Sequence, residues 1–174
     1  MRALFGRGGR RRPQGYGREL ADYRAQLVRQ TLRIDEVLGE VGDLIEALRR
    51  RDADVEDALE RLTATEQALD EAAEGLREML APEELHPLHV EYEANLERAL
   101  RGIVTAERGC GLTRLRHRGP EDEEPFTYWK RGQQNVQHAR LRMSELTDAL
   151  LSWEPGTPAE ASVAARLHRA DAED

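Results

Sequence analysis

Residues 20–79 decide the fold and read, in blocks of seven, LADYRAQ LVRQTLR IDEVLGE VGDLIEA LRRRDAD VEDALER LTATEQA LDEAAEG LREM. The first residue of each block is apolar: Leu20, Leu27, Ile34, Val41, Leu48, Val55, Leu62, Leu69 and Leu76. The fourth residue is mostly apolar or small, with Gln30, Arg51 and Thr65 as polar exceptions. Because residues seven apart return to nearly the same side of an α-helix, the pattern predicts helix with a continuous buried side.

Two arrangements fit this pattern. A single coiled-coil helix over residues 19–80 would be ~90 Å long. However, residues 49–54 are polar except for Ala53, and the fifth position of many blocks is also apolar, which widens the stripe to a width typical of bundles. We therefore predict two helices, at about 18–50 and 54–80, with a turn near residues 51–53 that Asp54 or Asp52 caps. Gly39 and Gly42 fall on outward positions of the first helix and are candidates for a bend.

Two further helices follow along the chain. The third is predicted at about 83–108, opening after Pro82 and restarted or kinked by Pro87. The fourth is predicted at about 126–153, after a long connection at 109–125. The expected inward residues are Tyr92, Leu96, Ala99, Leu100, Ile103 and Val104 on the third helix, and Trp129, Val136, Ala139, Met143, Leu146, Leu150 and Trp153 on the fourth.

These elements predict an all-α protein, an antiparallel four-helix bundle over residues 18–153 between a flexible arm at 1–17 and a flexible tail at 154–174. The 174-residue chain has 34% charged and only 5% aromatic residues, as expected of long, thin helices. Its order of helix, charged turn, second helix and then Pro82 followed by Leu88 and His89 resembles uncharacterised bacterial helical-bundle proteins. This resemblance implies the architecture alone.

Charge is distributed unevenly along the chain. The net charge is -8, but residues 1–18 carry six arginines and no acid, so the remainder has 20 basic and 34 acidic residues. An acidic body repels nucleic acid and anionic lipid, so any such contact is expected at the arm. The candidate polyanion-binding residues are Arg2, Arg7, Arg10, Arg11, Arg12 and Arg18, and a secondary basic patch is predicted at Arg114, Arg116 and Arg118.

Residue types that carry chemistry are sparse. Glu83 and His86 have the Glu-x-x-His spacing of di-iron bundles, but the chain has no second copy, so we predict no metal or cofactor and interpret His86 and His89 as capping or surface residues. Cys110 falls in the predicted loop, where a thiol lacks a fixed base. We therefore predict that the chain is not an enzyme, and that Trp129 and Trp153 pack in the core rather than anchor a partner.

The most favoured function is that of a non-catalytic interaction or scaffold protein, self-associating or binding a partner protein. The alternative is a protein that binds nucleic acid or an anionic membrane through its basic arm. One cysteine suits a reducing compartment, and no apolar run approaches the roughly 20 residues of a membrane span, so a cytoplasmic location is expected.

Overall fold

The computed structural model describes residues 16–113 and 123–158, and these ranges form four α-helices without a strand. The helices are α1 (Tyr16–Arg50), α2 (Val55–Arg77), α3 (His86–Thr113) and α4 (Pro125–Ser152). They form a helical bundle, as the heptad pattern predicts. The arm up to residue 15, the connection at 114–122 and the tail from residue 159 lie outside the described residues.

The hairpin at residues 51–54 confirms the predicted break between the first two helices. At the end of α1, the amide of Asp52 donates to the carbonyl of Ala47 at 2.8 Å. The amide of Arg51 donates to the carbonyl of Leu48 at 3.1 Å. This pair of bonds is a Schellman motif, which requires a left-handed residue at its centre. Arg51 takes that conformation, with φ of 63°. The Asp54 carboxylate then caps α2 by accepting from the amides of Glu56 and Asp57.

Each helix packs mainly against two neighbours, and α1 and α3, which make few contacts with each other, lie across the bundle. The contacts run in opposite chain order on adjacent helices. Along α1, Asp35 and then Glu46 contact Arg140 and then Gln133 of α4. Along α3, Glu97 and then Glu107 contact Arg77 and then Thr63 of α2, so the chain order is again reversed. This is the order that neighbouring antiparallel helices produce.

The bundle core follows the heptad rows closely. All but one of the nine first-position residues are buried, and Val55 at the start of α2 is half-buried. Two apolar residues that the pattern places on the inward side are exposed instead: Leu80, one of the apolar residues at the fifth position of the heptad blocks, and Val104, an expected inward residue of the third helix. Leu80 is 92% exposed because α2 ends before it, and Val104 is 46% exposed because the buried side of α3 turns toward Gly102 and Ala106.

Helices α3 and α4 make the closest contact in the bundle. A Cβ at Gly102 would lie 2.8 Å from the carbonyl oxygen of Gly132, and one at Gly132 would lie 2.6 Å from that of Gly102. Glycine at both positions therefore lets the two backbones touch. This contact closes the α3/α4 side of the bundle.

The boundaries of α3 differ from the prediction at both ends. Residues 82–85 form a turn, in which the Leu85 amide donates to the Pro82 carbonyl, and α3 begins only at His86. Pro87 is then the second residue of the helix, where its missing amide costs nothing, rather than a kink. At the other end α3 continues to Thr113, because Gly109 packs against Trp129 of α4 instead of ending the helix.

Candidate functional site: the groove between α1 and α4

The α1/α4 groove is one of the concave surfaces among the described residues, and a hollow of about 560 Å³ also lies between α1 and the start of α2. The groove consists of two adjoining hollows, of about 180 Å³ and 390 Å³, that share Leu38 and Arg140 as lining residues. From Thr31 to Glu46 it follows α1 for about four turns, which is ~22 Å. The groove is therefore long enough to hold a helical segment of a dozen or more residues.

Two glycines of α1 open this groove. A Cβ at Gly42 would have no heavy atom within 4 Å, so the backbone there borders open space. At Gly39, the guanidinium of Arg140 lies flat over the helix, 3.3 Å from the position of a Cβ. The sequence predicts that both glycines point outward. In the structure both are half-buried and line the groove beside α4.

An ion pair crosses the middle of the groove. The Asp35 carboxylate accepts from Nε of Arg140 at 2.7 Å and from a terminal nitrogen of the same guanidinium at 3.0 Å. The hydrogen bond from Arg140 lowers the pKa of Asp35. This two-point bond links α1 to α4 at the boundary between the two hollows.

A polar cluster closes the end of the groove near the α1–α2 turn. The Glu46 carboxylate accepts from Gln133 at 2.8 Å, from Arg49 at 2.7 Å and from Arg50 at 2.8 Å. The hydrogen bond from Gln133, followed by that from Arg50, lowers the pKa of Glu46. Arg49 also donates to the side-chain oxygen of Gln133 and lies over the ring of Phe126.

The smaller hollow has an apolar floor. Ile34 and Leu38 are each 1% exposed, and Met143 is 3% exposed. Tyr92 of α3 reaches this floor, and burial raises the pKa of its hydroxyl, which hydrogen-bonds Thr147. The Tyr92 hydroxyl is thus satisfied within the protein. The side chains of Ile34, Leu38 and Met143 present hydrocarbon to the hollow.

Exposed leucines flank the groove on both sides. Leu32 of α1 is 68% exposed and lines the smaller hollow, while Leu141 of α4 is 67% exposed. Leu141 lies one turn from Gln137 and one turn from Ser144, and both of these residues line the groove. The two leucines are the most exposed large apolar side chains within the described helices.

A second constellation lies inside the bundle, around His89. The prediction that His89 is a capping or surface residue is wrong, because it is 3% exposed. Its Nδ1 is 3.0 Å from the hydroxyl of Tyr23, and its Nε2 is 3.1 Å from both the Leu76 carbonyl oxygen and the Glu93 carboxylate. His86 is exposed, as predicted. His86 is the first residue of α3, whereas His89 lies one turn further on, on the side of the helix that faces Tyr23 and Leu76.

The residues that line the groove are apolar residues, glycines, hydroxyl and amide side chains, carboxylates and arginines. Neither histidine nor cysteine is among the residues that line it. Across the described ranges, no group of three or more His, Cys, Asp or Glu residues is arranged to hold a metal ion. Cys110 is fully buried within α3 rather than in a loop, because the helix continues past it.

The sequence-predicted site residues lie away from the groove or outside the described ranges. Arg18 is at the exposed start of α1, 3.9 Å from Asp22. The other arm residues, Arg2, Arg7, Arg10, Arg11 and Arg12, and the patch of Arg114, Arg116 and Arg118 lie outside the described residues. Their role in polyanion binding stays a prediction. Trp129 and Trp153 are buried, which confirms core packing.

Sequence reasoning missed the groove itself. The available signal was the pair Gly39 and Gly42 on one helix, together with the apolar residues Leu32 and Leu141 at positions outside the heptad rows. No family model, curated protein or solved structure matches the chain with statistical significance. In the described ranges, no helix has the length and apolar content needed to cross a membrane.

Proposed function

We propose that this chain is a non-catalytic helical interaction protein, and that the α1/α4 groove binds a helical segment of a partner or of a second copy. The observation that carries the proposal is the position of Leu32 and Leu141, exposed on the two sides of a groove that glycines hold open. Single exposed leucines are ordinary on protein surfaces. Two that flank one concave surface provide the apolar contacts that a docking helix requires.

The remaining groove residues support the same role. The ion pair of Asp35 with Arg140 and the hydrogen bond between Glu46 and Gln133 link α1 to α4 across the groove in the absence of a partner. A preformed groove reduces the entropy cost of association. By contrast, the α3/α4 side is closed by the contact between Gly102 and Gly132, so it offers no comparable recess.

The experiment compares two double variants in the cells that produce the protein naturally. Leu32→Glu with Leu141→Glu places charge on both sides of the groove, while Val90→Glu with Val104→Glu does so on α3, where the valines are 45% and 46% exposed. Both pairs should leave folding intact, because all four positions are on the surface. Tagged proteins are purified at native expression, and co-purifying proteins, including untagged copies of the chain, are quantified by mass spectrometry.

The proposal expects at least one protein that the wild type and the α3 variant retain and that the groove variant loses. Circular dichroism and a thermal melt establish that each variant is folded. A set of bound proteins that does not differ between the two variants, with both folded, contradicts the proposal.

A further inference from the structure

We infer that the partner at the α1/α4 groove is a second copy of this chain, arranged so that α1 of each copy lies antiparallel on α4 of the other. This inference rests on the proposed function and names the partner. It follows from the order of the exposed charges along two ridges, the outward sides of α1 over residues 29–43 and of α4 over residues 130–148.

The ridge of α1 changes sign along its length. Arg29 and Arg33 are exposed at the end where the smaller hollow begins. Glu36, Glu40 and Asp43 are exposed further along, toward the α1–α2 turn. The ridge is therefore basic at one end and acidic at the other.

The ridge of α4 has the same order of signs, and α4 runs in the opposite direction. Lys130 is exposed near its start, and Glu145 and Asp148 are exposed near its end. Asp148 lines the same hollow as Leu32, so the acidic end of α4 lies beside the basic end of α1. Lys130 lies one turn before Gln133, at the end of the groove that the polar cluster closes.

Contacts within the chain leave the acidic end of α4 negative. Arg142 binds Glu145, but it binds Glu91 as well, so the three side chains together keep a negative charge. In the middle of the groove, Arg140 and Asp35 balance each other.

Near the α1–α2 turn the charges are more mixed. Arg49 and Arg50 both bind Glu46, which leaves one positive charge there. Asp43 also acts within its own chain, where it is among the groups that raise the pKa of Arg140. The opposite end of the groove separates the two signs more fully, and that end selects the arrangement of the two copies.

A two-fold axis parallel to the helices brings the opposite signs together. It places α1 of the second copy over α4 of the first at the same level along the bundle, and α4 over α1. Arg29 and Arg33 of each copy then lie over Glu145 and Asp148 of the other, so the same attraction occurs twice. A uniformly basic or acidic partner lacks this match, because one of the two ridges repels it.

The same arrangement covers the exposed leucines. Leu32 and Leu141 lie on the ridges that face the second copy. The guanidinium of Arg140 lies over Gly39, so Leu141 is close to the level of that glycine, and α1 of the second copy can approach it closely. A face ~20 Å wide and ~22 Å long is smaller than a standard interface, so we expect monomer and dimer in equilibrium.

The test is a charge exchange between two chains. One variant carries Arg29→Glu with Arg33→Glu, and the other carries Glu145→Arg with Asp148→Arg. Each is expected to weaken self-association by at least about tenfold, because like charges then face each other at both contacts. An equimolar mixture is expected to restore association, since the mixed dimer has the exchanged charges at one contact and the native charges at the other.

Arg98→Glu with Arg101→Glu is the matched control for the α1 variant, because it makes the same change of net charge at exposed positions of α3. Sedimentation velocity over a wide range of concentrations measures association at low and moderate salt. Association of the wild type is expected to weaken as salt rises, and the α3 control is expected to associate like the wild type. Circular dichroism establishes that each variant is folded, and Glu145→Arg alone replaces the double variant if the change at Asp148 impairs folding.

A wild-type protein that stays monomeric at every concentration overturns the inference. Equal weakening by the α1 variant and the α3 control overturns it as well, and so does a mixture of folded variants that fails to restore association. If self-association is absent while Leu32→Glu with Leu141→Glu still removes a cellular partner, the proposed function stands and the assignment of a second copy is wrong.

Discussion

The hydroxyl of Tyr23 on α1 lies 3.0 Å from Nδ1 of His89 on α3, and both side chains are only 3% exposed. Nε2 of His89 faces two acceptors, the Leu76 carbonyl and the Glu93 carboxylate, so a neutral ring carries its proton there. Nδ1 then accepts the Tyr23 proton. One imidazole thereby connects α1, the end of α2 and α3.

Tyr23→Phe should destabilise the bundle by about 1–3 kcal/mol, because it leaves Nδ1 of His89 buried without a donor. The measurement is urea unfolding at neutral pH. Tyr16→Phe is the control, since the Tyr16 hydroxyl donates to Glu84 at an exposed site and its loss should cost less than about 0.5 kcal/mol. Equal losses in the two variants would show that the His89 cluster adds nothing beyond a surface contact.

Stability should fall steeply at alkaline pH. Burial raises the pKa of both Tyr23 and Tyr92 above the ordinary value of 10.0. In the unfolded chain these hydroxyls release their protons near pH 10, while the folded chain keeps them. The unfolded state therefore binds fewer protons above that pH, and the free energy of unfolding decreases by up to ~1.4 kcal/mol per pH unit for each tyrosine.

Unfolding curves between pH 9 and 12 check this dependence. The slope should be smaller in Tyr23→Phe and smaller again when Tyr92→Phe is added. A double variant with the slope of the wild type would contradict the assignment of the alkaline loss to these two hydroxyls.

Arg51→Gly should stabilise the protein by about 1 kcal/mol, since Arg51 occupies the left-handed region with φ of 63° and glycine does so without steric cost. Arg50→Gly is the comparison one residue earlier, at the last residue of α1, where glycine should destabilise because the backbone there is helical and the ion pair with Glu46 is lost. Midpoints of urea unfolding measured side by side test both. A loss of stability in both variants would mean that the arginine side chain contributes more than its backbone strain costs.

Gly102→Ala and Gly132→Ala should each destabilise by more than ~2 kcal/mol, because the new Cβ meets a backbone carbonyl of the opposite helix at under 3 Å. Gly111→Ala, on the same helix as Gly102 but with open space around it, should stabilise by up to ~1 kcal/mol. Thermal unfolding distinguishes the two directions. Similar melting temperatures for all three variants would contradict the close α3/α4 contact.

Much of the fold could be predicted because apolar residues at heptad spacing mark the buried side of each helix. The row from Leu20 to Leu76, the break at residues 51–54 and the inward residues of the fourth helix all match the structure. These features depend only on local periodicity and on a run of polar residues. They hold whichever helices become neighbours.

The predictions that were wrong concern features set by residues that are distant in the sequence but adjacent in the fold. Gly109 and Gly111 looked like the end of a helix, but the indole of Trp129 packs on Gly109 and α3 continues to Thr113. His89 could not be placed inside without knowing that Tyr23 and Leu76 lie beside it. The groove likewise requires α4 beside Gly39 and Gly42, and no spacing along α1 specifies that partner.

The most direct test of the α1/α4 groove as a binding surface is Gly42→Leu. No atom of another helix lies within 4 Å of a Cβ at that position, and Gly42 lines the larger hollow, so the leucine side chain extends into the groove; as a better helix former it should raise stability by up to ~1 kcal/mol. Gly111→Leu, equally open but on α3, is the control. The measurement is the amount of the groove-dependent partner that co-purifies with each variant, together with its unfolding free energy. The account predicts that Gly42→Leu is more stable than the wild type and loses the partner while Gly111→Leu keeps it; a folded Gly42→Leu protein that retains the partner in full would contradict it.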